Sequence, residues 1–573
     1  MPSSQITPLL RRFGIIAIVL TSILAVYLLS LCPDVYTIDS GELATVSYTL
    51  GIAHPTGYPL YTLISYFFAH IPGEPIQNLN ALSALFSVAA AAFLFLISRR
   101  VTRNDYASVL VVSLFAFSPI IWRMSVTNEV YPLTVLFSTI LMFLILHLES
   151  DRIYFMLLYV AGLSFTNHMM VFSLVLPLFL YALLKHRPGL HKAIIGLLFL
   201  FLGLSLYMYL MTRTMGNAKY AWGNTENLQR LLWHMTGKQY QIWMFSSSPA
   251  EVLTNLAGAA KFLLRNLLYV MIIPSLYGFY VLYRKDRAKL WLLLSILVLN
   301  ILYTINYSIP DIEAYFIPSF IVLLVSLTYA MANLSKYLRL FVILPVALAI
   351  PLLNYRSCTL RDNYFAVDLA RANISSLPDS SLFITTYWDI YSPIMYLREI
   401  KKERTDLVVI DKELLRRTWY LKYLEREYPD FFGSVCQDIE AYLIELVKFE
   451  YDRPYLPHVI QSRFLNMIES FVDAKAKAGV YLATSPQDMD LNAIKPQFRR
   501  LPYGLTIKIT PDSIVDPFDF DRFFLKRPPV LNDPRQEYNM QIVRGMIIAN
   551  INYLVRTGRT AEAAKAQAIL NSF

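Results

Sequence analysis

Cysteine is nearly absent. The 573 residues hold three, Cys32, Cys358 and Cys436, with no CxxC spacing and no Cys/His cluster. That excludes a zinc ribbon and a multi-disulfide framework, and leaves open only whether Cys358 and Cys436 pair. Charge is scarce too, at 16% of residues, where an average soluble protein carries about 25%. No small-residue cleavage site follows the first apolar run, so Phe13–Leu31 reads as an uncleaved helix rather than a signal peptide. No internal repeat stands out.

What fills the chain is apolar: 56% hydrophobic and 14% aromatic residues, with a mean hydropathy of +0.45. The net charge of +10 and pI near 9.2 raise nucleic acid as a partner. The basic residues, however, fall between apolar runs, where membrane orientation accounts for them. No nucleic-acid partner is expected.

Beyond the first run, apolar stretches lie near 80–98, 106–121, 132–148, 153–166, 168–184, 193–211, 262–282, 290–306, 315–331 and 338–353. A bilayer needs about 20 apolar residues per helix, which makes roughly eleven spans, the 153–166 run being short for one. Arg99, Arg100, Arg103, Arg152, Lys185, Arg187, Lys192, Arg284, Lys285, Arg287, Lys289, Lys336 and Arg339 then share one side. By the positive-inside rule that side is the cytoplasm, together with the N-terminus. The opposite loops are 33–79, 122–131, around 167, 212–261 and 307–314, and the C-terminus joins them.

From about Arg356 the composition becomes that of a soluble domain. Ser381–Thr386 reads as a strand, Ile390–Lys401 as an amphipathic helix and Leu407–Ile410 as a strand, a small α/β unit at about 375–415. Past Tyr420 the pattern suggests amphipathic helices with Pro-rich connectors, ending in a helical pair from Gln536 to Phe573. The expected division is a membrane domain over 1–355 and a soluble domain over 356–573.

The most unusual stretch is DSGELATVSYTLGIAHPTGYPLY, Asp39 to Tyr61. Asp39 and Glu42, three apart, share a helix face and can point into one pocket, where the pair raises one pKa for acid–base work. Equally, they can be a solvated helix start with Asp39 or Ser40 as cap. Other outside loops add Asn128, Glu129 and Tyr131, then Asn167 and His168, then Asp311, Glu313 and Tyr315. Arg213 faces outward against the charge rule, suiting a lipid phosphate or simply snorkelling to headgroups. Tyr220, Trp222, Trp233, Tyr240 and Trp243 mark either an interfacial belt or rings that stack on sugars.

Taken with the strings NEVYPL, GLSFTNHMM, YLMTR, AWGN, LLWHMTGKQY and PDIEAYFIPS, this stretch resembles one family. It is the transmembrane-protein-260-like family, relatives of the protein O-mannosyltransferases within the GT-C membrane glycosyltransferases. The likeness covers roughly residues 30–320, and TYWDIYSP departs from the family pattern.

The resemblance implies a polytopic α-helical membrane protein, GT-C-like, with an extracytoplasmic soluble domain, in the plasma or inner membrane for a bacterial chain. It also implies transfer of a hexose, mannose by family, from a polyprenyl-phosphate donor to a hydroxyl of a protein or glycan. Asp39 is then the general base, with Glu42 beside it. Glu42 and His54 position the acceptor or tune Asp39, and Tyr58, Glu129, Asn167, His168, Asp311, Glu313 and Tyr315 bind substrate. Arg213 holds the departing phosphate, and Trp222 and Asn224 bind the donor. No metal and no cofactor beyond the donor is implied, since carboxylates alone rarely identify a metal. A transporter or lipid flippase is the competing reading, but its ionisable groups would sit near the midplane rather than at one rim. A scaffold that recruits partners would explain the soluble tail and not the polar loops.

Overall fold

The computed structural model describes residues 3–309, 311–332, 344–528 and 533–573. Two compact units emerge from its contacts. The first comprises Met1–Cys32, Ile52–Gly216 and Thr225–Arg361; the second comprises Pro33–Gly51, Asn217–Asn224 and Asp362–Phe573. Two short segments of the N-terminal half thus belong with the C-terminal unit.

The first unit is helical. Among the described residues, five helices are long and apolar enough to cross a bilayer: Pro75–Thr102, Met169–His186, Leu190–Met215, Arg287–Thr304 and Ile312–Met331. The 106–121 run is two helices, Asp105–Ala116 and Pro119–Ser125, bent by 66° and counting at most as a sixth span. Pro119 has no N–H to continue the ladder, and Ser118 before it is extended at φ −66°, ψ 145°. Shorter apolar helices cover Gly14–Leu29, Pro59–Ala69 and Tyr131–Leu146. The chain is a membrane protein, with five or six helices of spanning length among the described residues, beside the roughly eleven apolar runs of the sequence.

Three runs differ from expectation. The 262–282 run is split into Pro249–Asn266 and Ile272–Lys285. Leu268 and Tyr269 between them have positive φ, and Pro274 is confined to the first turn of the second helix. The 212–261 loop is largely helical, through Leu228–Met235 and Pro249–Asn266. The 338–353 run is helical from Leu344, while its first residues, with Lys336 and Arg339, lie outside the described residues.

Small residues set the helix packing. A Cβ on Gly162 would meet Leu200 O at 2.2 Å, and one on Gly203 would meet Tyr159 O at 2.6 Å, so Asp151–Phe165 and Leu190–Leu204 approach backbone to backbone. Asn300, buried, donates to Ser173 Oγ (3.1 Å) and Tyr315 O (2.9 Å) and accepts from Ser319 Oγ (2.6 Å). One satisfied amide therefore pins three apolar segments.

The second unit holds a five-stranded sheet in the order β2-β1-β3-β5-β4. Its strands are β1 (Leu382–Thr385), β2 (Val408–Asp411), β3 (Val480–Ala483), β4 (Arg499–Tyr503) and β5 (Thr506–Thr510). β1 pairs in parallel with β2 and β3, and β5 runs antiparallel to β3 and β4. The Trp388–Glu399 helix connects β1 to β2. Strands β3, β4 and β5 fall in the stretch read as helices and connectors. β3 is buried at all four residues, so it has no alternation to read. Gly504, at φ 58°, turns the β4–β5 hairpin. Helices Pro429–Glu450, Pro457–Lys475, Pro534–Arg556 and Thr560–Ser572 complete the unit. The three cysteines are free thiols, Cys32 and Cys358 buried and Cys436 exposed.

Candidate functional site

The Asp39–Tyr61 stretch divides between the units after Gly51, and its two parts carry different chemistry. In the second unit, Asp39 stands at the N-cap of the Ser40–Thr49 helix, yet its side chain makes no capping bond. Instead Asp39 Oδ1 accepts from Trp388 Nε1 at 2.7 Å. The first-turn amide of Glu42 is satisfied by Ser392 Oγ at 2.9 Å, so this helix start needs no carboxylate cap. Glu42 itself is fully buried, and carboxylate oxygens of Asp39 and Glu42 lie within 4.8 Å of each other.

Gly41 explains the spacing in Asp-Ser-Gly-Glu. A Cβ there would meet Ser392 O at 2.2 Å; only glycine lets the Ser40–Thr49 helix lie against the Trp388–Glu399 helix at that distance. Asp389 secures the approach to Asp39. It is buried, accepts from Ile38 N (2.9 Å), and takes Arg535 Nε (2.7 Å) and Asn539 Nδ2 (2.8 Å) on its other oxygen. Trp222 stacks on Trp419 (centroids 4.6 Å) and meets Trp388 edge-on (5.8 Å). Asn224 closes the Trp-Gly-Asn turn, its N–H donating to Ala221 O at 3.0 Å, and Gly223 supplies the positive φ of 78°.

In the first unit a separate cluster forms. Pro59 opens the Pro59–Ala69 helix, and Tyr58 before it is left-handed at φ 43°, ψ 49°. Tyr58 Oη lies 2.8 Å from His54 Nε2, and its ring stacks on His168 at 5.7 Å. His168 also meets Tyr131 (5.4 Å) and Tyr315 (5.3 Å), and Tyr131 donates to Asp311. Asn167 Nδ2 donates to Val130 O (3.1 Å) and Thr134 Oγ1 (2.7 Å), steadying the Glu129–Tyr131 turn. His234 donates from Nε2 to Ala53 O at 3.1 Å. Burial pushes its pKa down to about 3, against the raising effect of that bond and helped by nearby His54. It is a neutral structural partner of the AHPTGYP turn.

Of the residues read from sequence, Asp39, Glu42, Trp222 and Asn224 belong to the second unit. His54, Tyr58, His168, Asp311 and Tyr315 gather in the first, with Asn167 and Glu129 at their edge. Arg213 ends the Met208–Met215 helix, one turn from Tyr209 and hydrogen-bonded to it. Glu313 is exposed. Sequence reading missed Trp388, Asp389, Ser392 and Trp419, and it attached no role to the TYWDIYSP turn that supplies three of them. The Trp-Asp pair just after a strand was the available signal, because loops at strand ends carry sites.

Residues 39–190 match the family model described as "Protein O-mannosyl-transferase TMEM260 N-terminal domain", a match that begins at Asp39. Over those residues the chain is similar to that family. Protein O-mannosyl-transferase TMEM260 of Mus musculus is 28% identical over 467 residues, covering 74% of this chain and 66% of that protein. Protein O-mannosyl-transferase tmem260 of Dictyostelium discoideum is 25% identical over 483 residues, covering 72% and 59%. The chain thus spans less than two thirds of the length of either relative. ArnT from Cupriavidus metallidurans, crystallised with undecaprenyl phosphate, aligns with a TM-score of 0.50 at 13% identity, over 70% of this chain and 91% of that one. That likeness concerns the fold, which is GT-C-like.

Proposed function

We propose that the chain is a membrane glycosyltransferase that moves a hexose from a polyprenyl phosphate to a hydroxyl of a protein or glycan. The observation that carries the reading is the Asp39 carboxylate, released from capping and held by Trp388 at 2.7 Å beside Glu42. Attack on a sugar carbon needs a base for the acceptor proton and a stabiliser for the leaving group. Asp39 is the base, its carboxylate oriented toward the acceptor hydroxyl by the Trp388 indole at Oδ1.

A phosphate departs without needing a proton donor, so Arg213 serves as the cation that pairs with it. Trp222 offers a ring face to the sugar and Asn224 an amide. His54, Tyr58, His168, Asp311 and Tyr315 supply hydroxyl, imidazole and carboxylate partners for substrate, with Glu129, Asn167 and Glu313 in supporting positions. Mannose follows the names of the TMEM260 relatives, and the donor class follows the ligand named for ArnT. The run of basic inside loops supports an extracytoplasmic reaction, and the apolar runs support further spans beyond the five or six.

The test is turnover by mass spectrometry, using purified protein and a panel of polyprenyl-phosphate sugars with peptide and glycan acceptors. Asp39→Asn should abolish transfer while expression and membrane insertion persist. Near-normal transfer by that variant would remove Asp39 from the role of base, and no turnover with any donor would remove the reaction.

A further inference from the structure

The second unit has a cleft outside the residues assigned to sugar transfer. It lies among the Pro429–Glu450 helix, the Pro457–Lys475 helix and the Arg416–Arg417 turn after β2, with a volume of about 280 Å³. Leu446, Ile460 and Phe464 make its floor. Phe449 and Tyr455 form its rim, edge to face with centroids 5.3 Å apart, and they are 40% and 38% exposed.

Two guanidiniums face the cleft, in different states. Arg416 is answered: it donates to Asp490 at 2.7 Å and lies 4.3 Å over the Phe464 ring. Arg417 makes no ion pair among the described residues, and its charge acts on the buried Tyr442 hydroxyl. The nearby carboxylates are engaged elsewhere. Asp490 also takes Lys412 Nζ (3.0 Å) and Gln461 Nε2 (2.7 Å), and Glu450 takes Thr418 Oγ1 (2.6 Å). Glu413, 55% exposed on its side chain, turns to Lys412 at 3.0 Å.

We propose that this cleft docks a peptide segment that pairs an acidic residue with an apolar one. The carboxylate bonds Arg417, whose planar fork matches two carboxylate oxygens. A leucine or phenylalanine beside it fills the floor over Leu446 and Ile460, between the Phe449 and Tyr455 rings. A glycan is the poorer occupant, because a hexose would set hydroxyls against that floor with nothing to bond them. The inference stands whether or not the chain transfers a sugar.

Full-length protein in lipid nanodiscs would be titrated into a fluorescein-labelled peptide of alternating Asp and Leu, its Asn-for-Asp twin, and a labelled mannose oligosaccharide, read by fluorescence polarisation. The acidic peptide should bind on the order of tenfold or more tightly than its twin, the worth of one charge-assisted pair. Arg417→Gln should remove that difference with thermal unfolding unchanged. Equal binding of the two peptides, binding of the saccharide in their place, binding insensitive to Arg417→Gln, or no binding would each overturn the proposal. The comparison of the two peptides on the unaltered protein decides the matter even where the variant folds poorly.

Discussion

Trp388 does two things beside Asp39: its Nε1 fixes the carboxylate and its ring packs against Trp222. Trp388→Phe separates these roles, since a phenyl ring still packs edge-on to Trp222 but has no Nε1 to donate. Loss of that donor removes the hydrogen bond that orients the carboxylate. We expect kcat to fall on the order of fivefold to tenfold, the worth of one such bond, with KM for donor unchanged. An unchanged kcat would show that the indole only fills space. A second carboxyl, Asp411 at the end of β2, has the opposite environment. Burial pushes its pKa up to about 7, only partly offset by the Leu414 N–H. The folded protein therefore keeps this proton after the unfolded chain has lost its own near pH 4. The sign follows: stability falls as pH rises from about 4 to about 7 and is level above. Asp406, held down to about 2 mainly by its bonds to Arg404, contributes below that window. Asp411→Asn should flatten the slope of denaturant midpoints across pH 4–7; an unchanged slope would assign it to another group.

At the scale of elements, the contact that matters most is glycine against backbone. Gly41→Ala would drive a methyl into Ser392 O, 2.2 Å away, and one helix must give way. Overpacking of this kind costs on the order of 1–3 kcal/mol, and here it also carries Asp39 away from Trp388. Gly258→Ala is the control, a helix glycine with nothing within 4 Å of its Cβ, where a gain of up to about 1 kcal/mol is expected from helix propensity alone. Loss of transfer and a lower melting temperature for the first, with neither for the second, would support the contact; equal behaviour would dismiss it. Elements also show what the residues could and could not say in advance. The apolar runs were legible because a bilayer imposes length, and DSGE with AHPTGYP was legible because its polar groups and prolines are costly beside a membrane. The partners of DSGE were not: Trp388 is 349 positions from Asp39, and no local period encodes such a pairing. β3 was missed for a related reason, since four residues buried on both faces carry no alternation. The breaks at 267–271 were missed because an apolar run reads the same whether one helix or two lie beneath it.

For the whole molecule the open quantity is the side of the membrane on which the chemistry runs, and the native cysteines can report it. Cys32 and Cys358 are buried, and Cys436 is exposed on the Pro429–Glu450 helix. Cys436 belongs to the same compact unit as Asp39, because that unit takes in Pro33–Gly51 as well as Asp362–Phe573. Whichever side admits a reagent to Cys436 is therefore the side that carries Asp39. Under the topology proposed from the basic loops, that side is away from the cytoplasm. A membrane-impermeant maleimide applied to intact cells should then label the chain once, and Cys436→Ser should abolish the label. Labelling that appears only after the membrane is permeabilised would turn the topology over. It would also take the polyprenyl-linked donor and its acceptor to the cytoplasmic face.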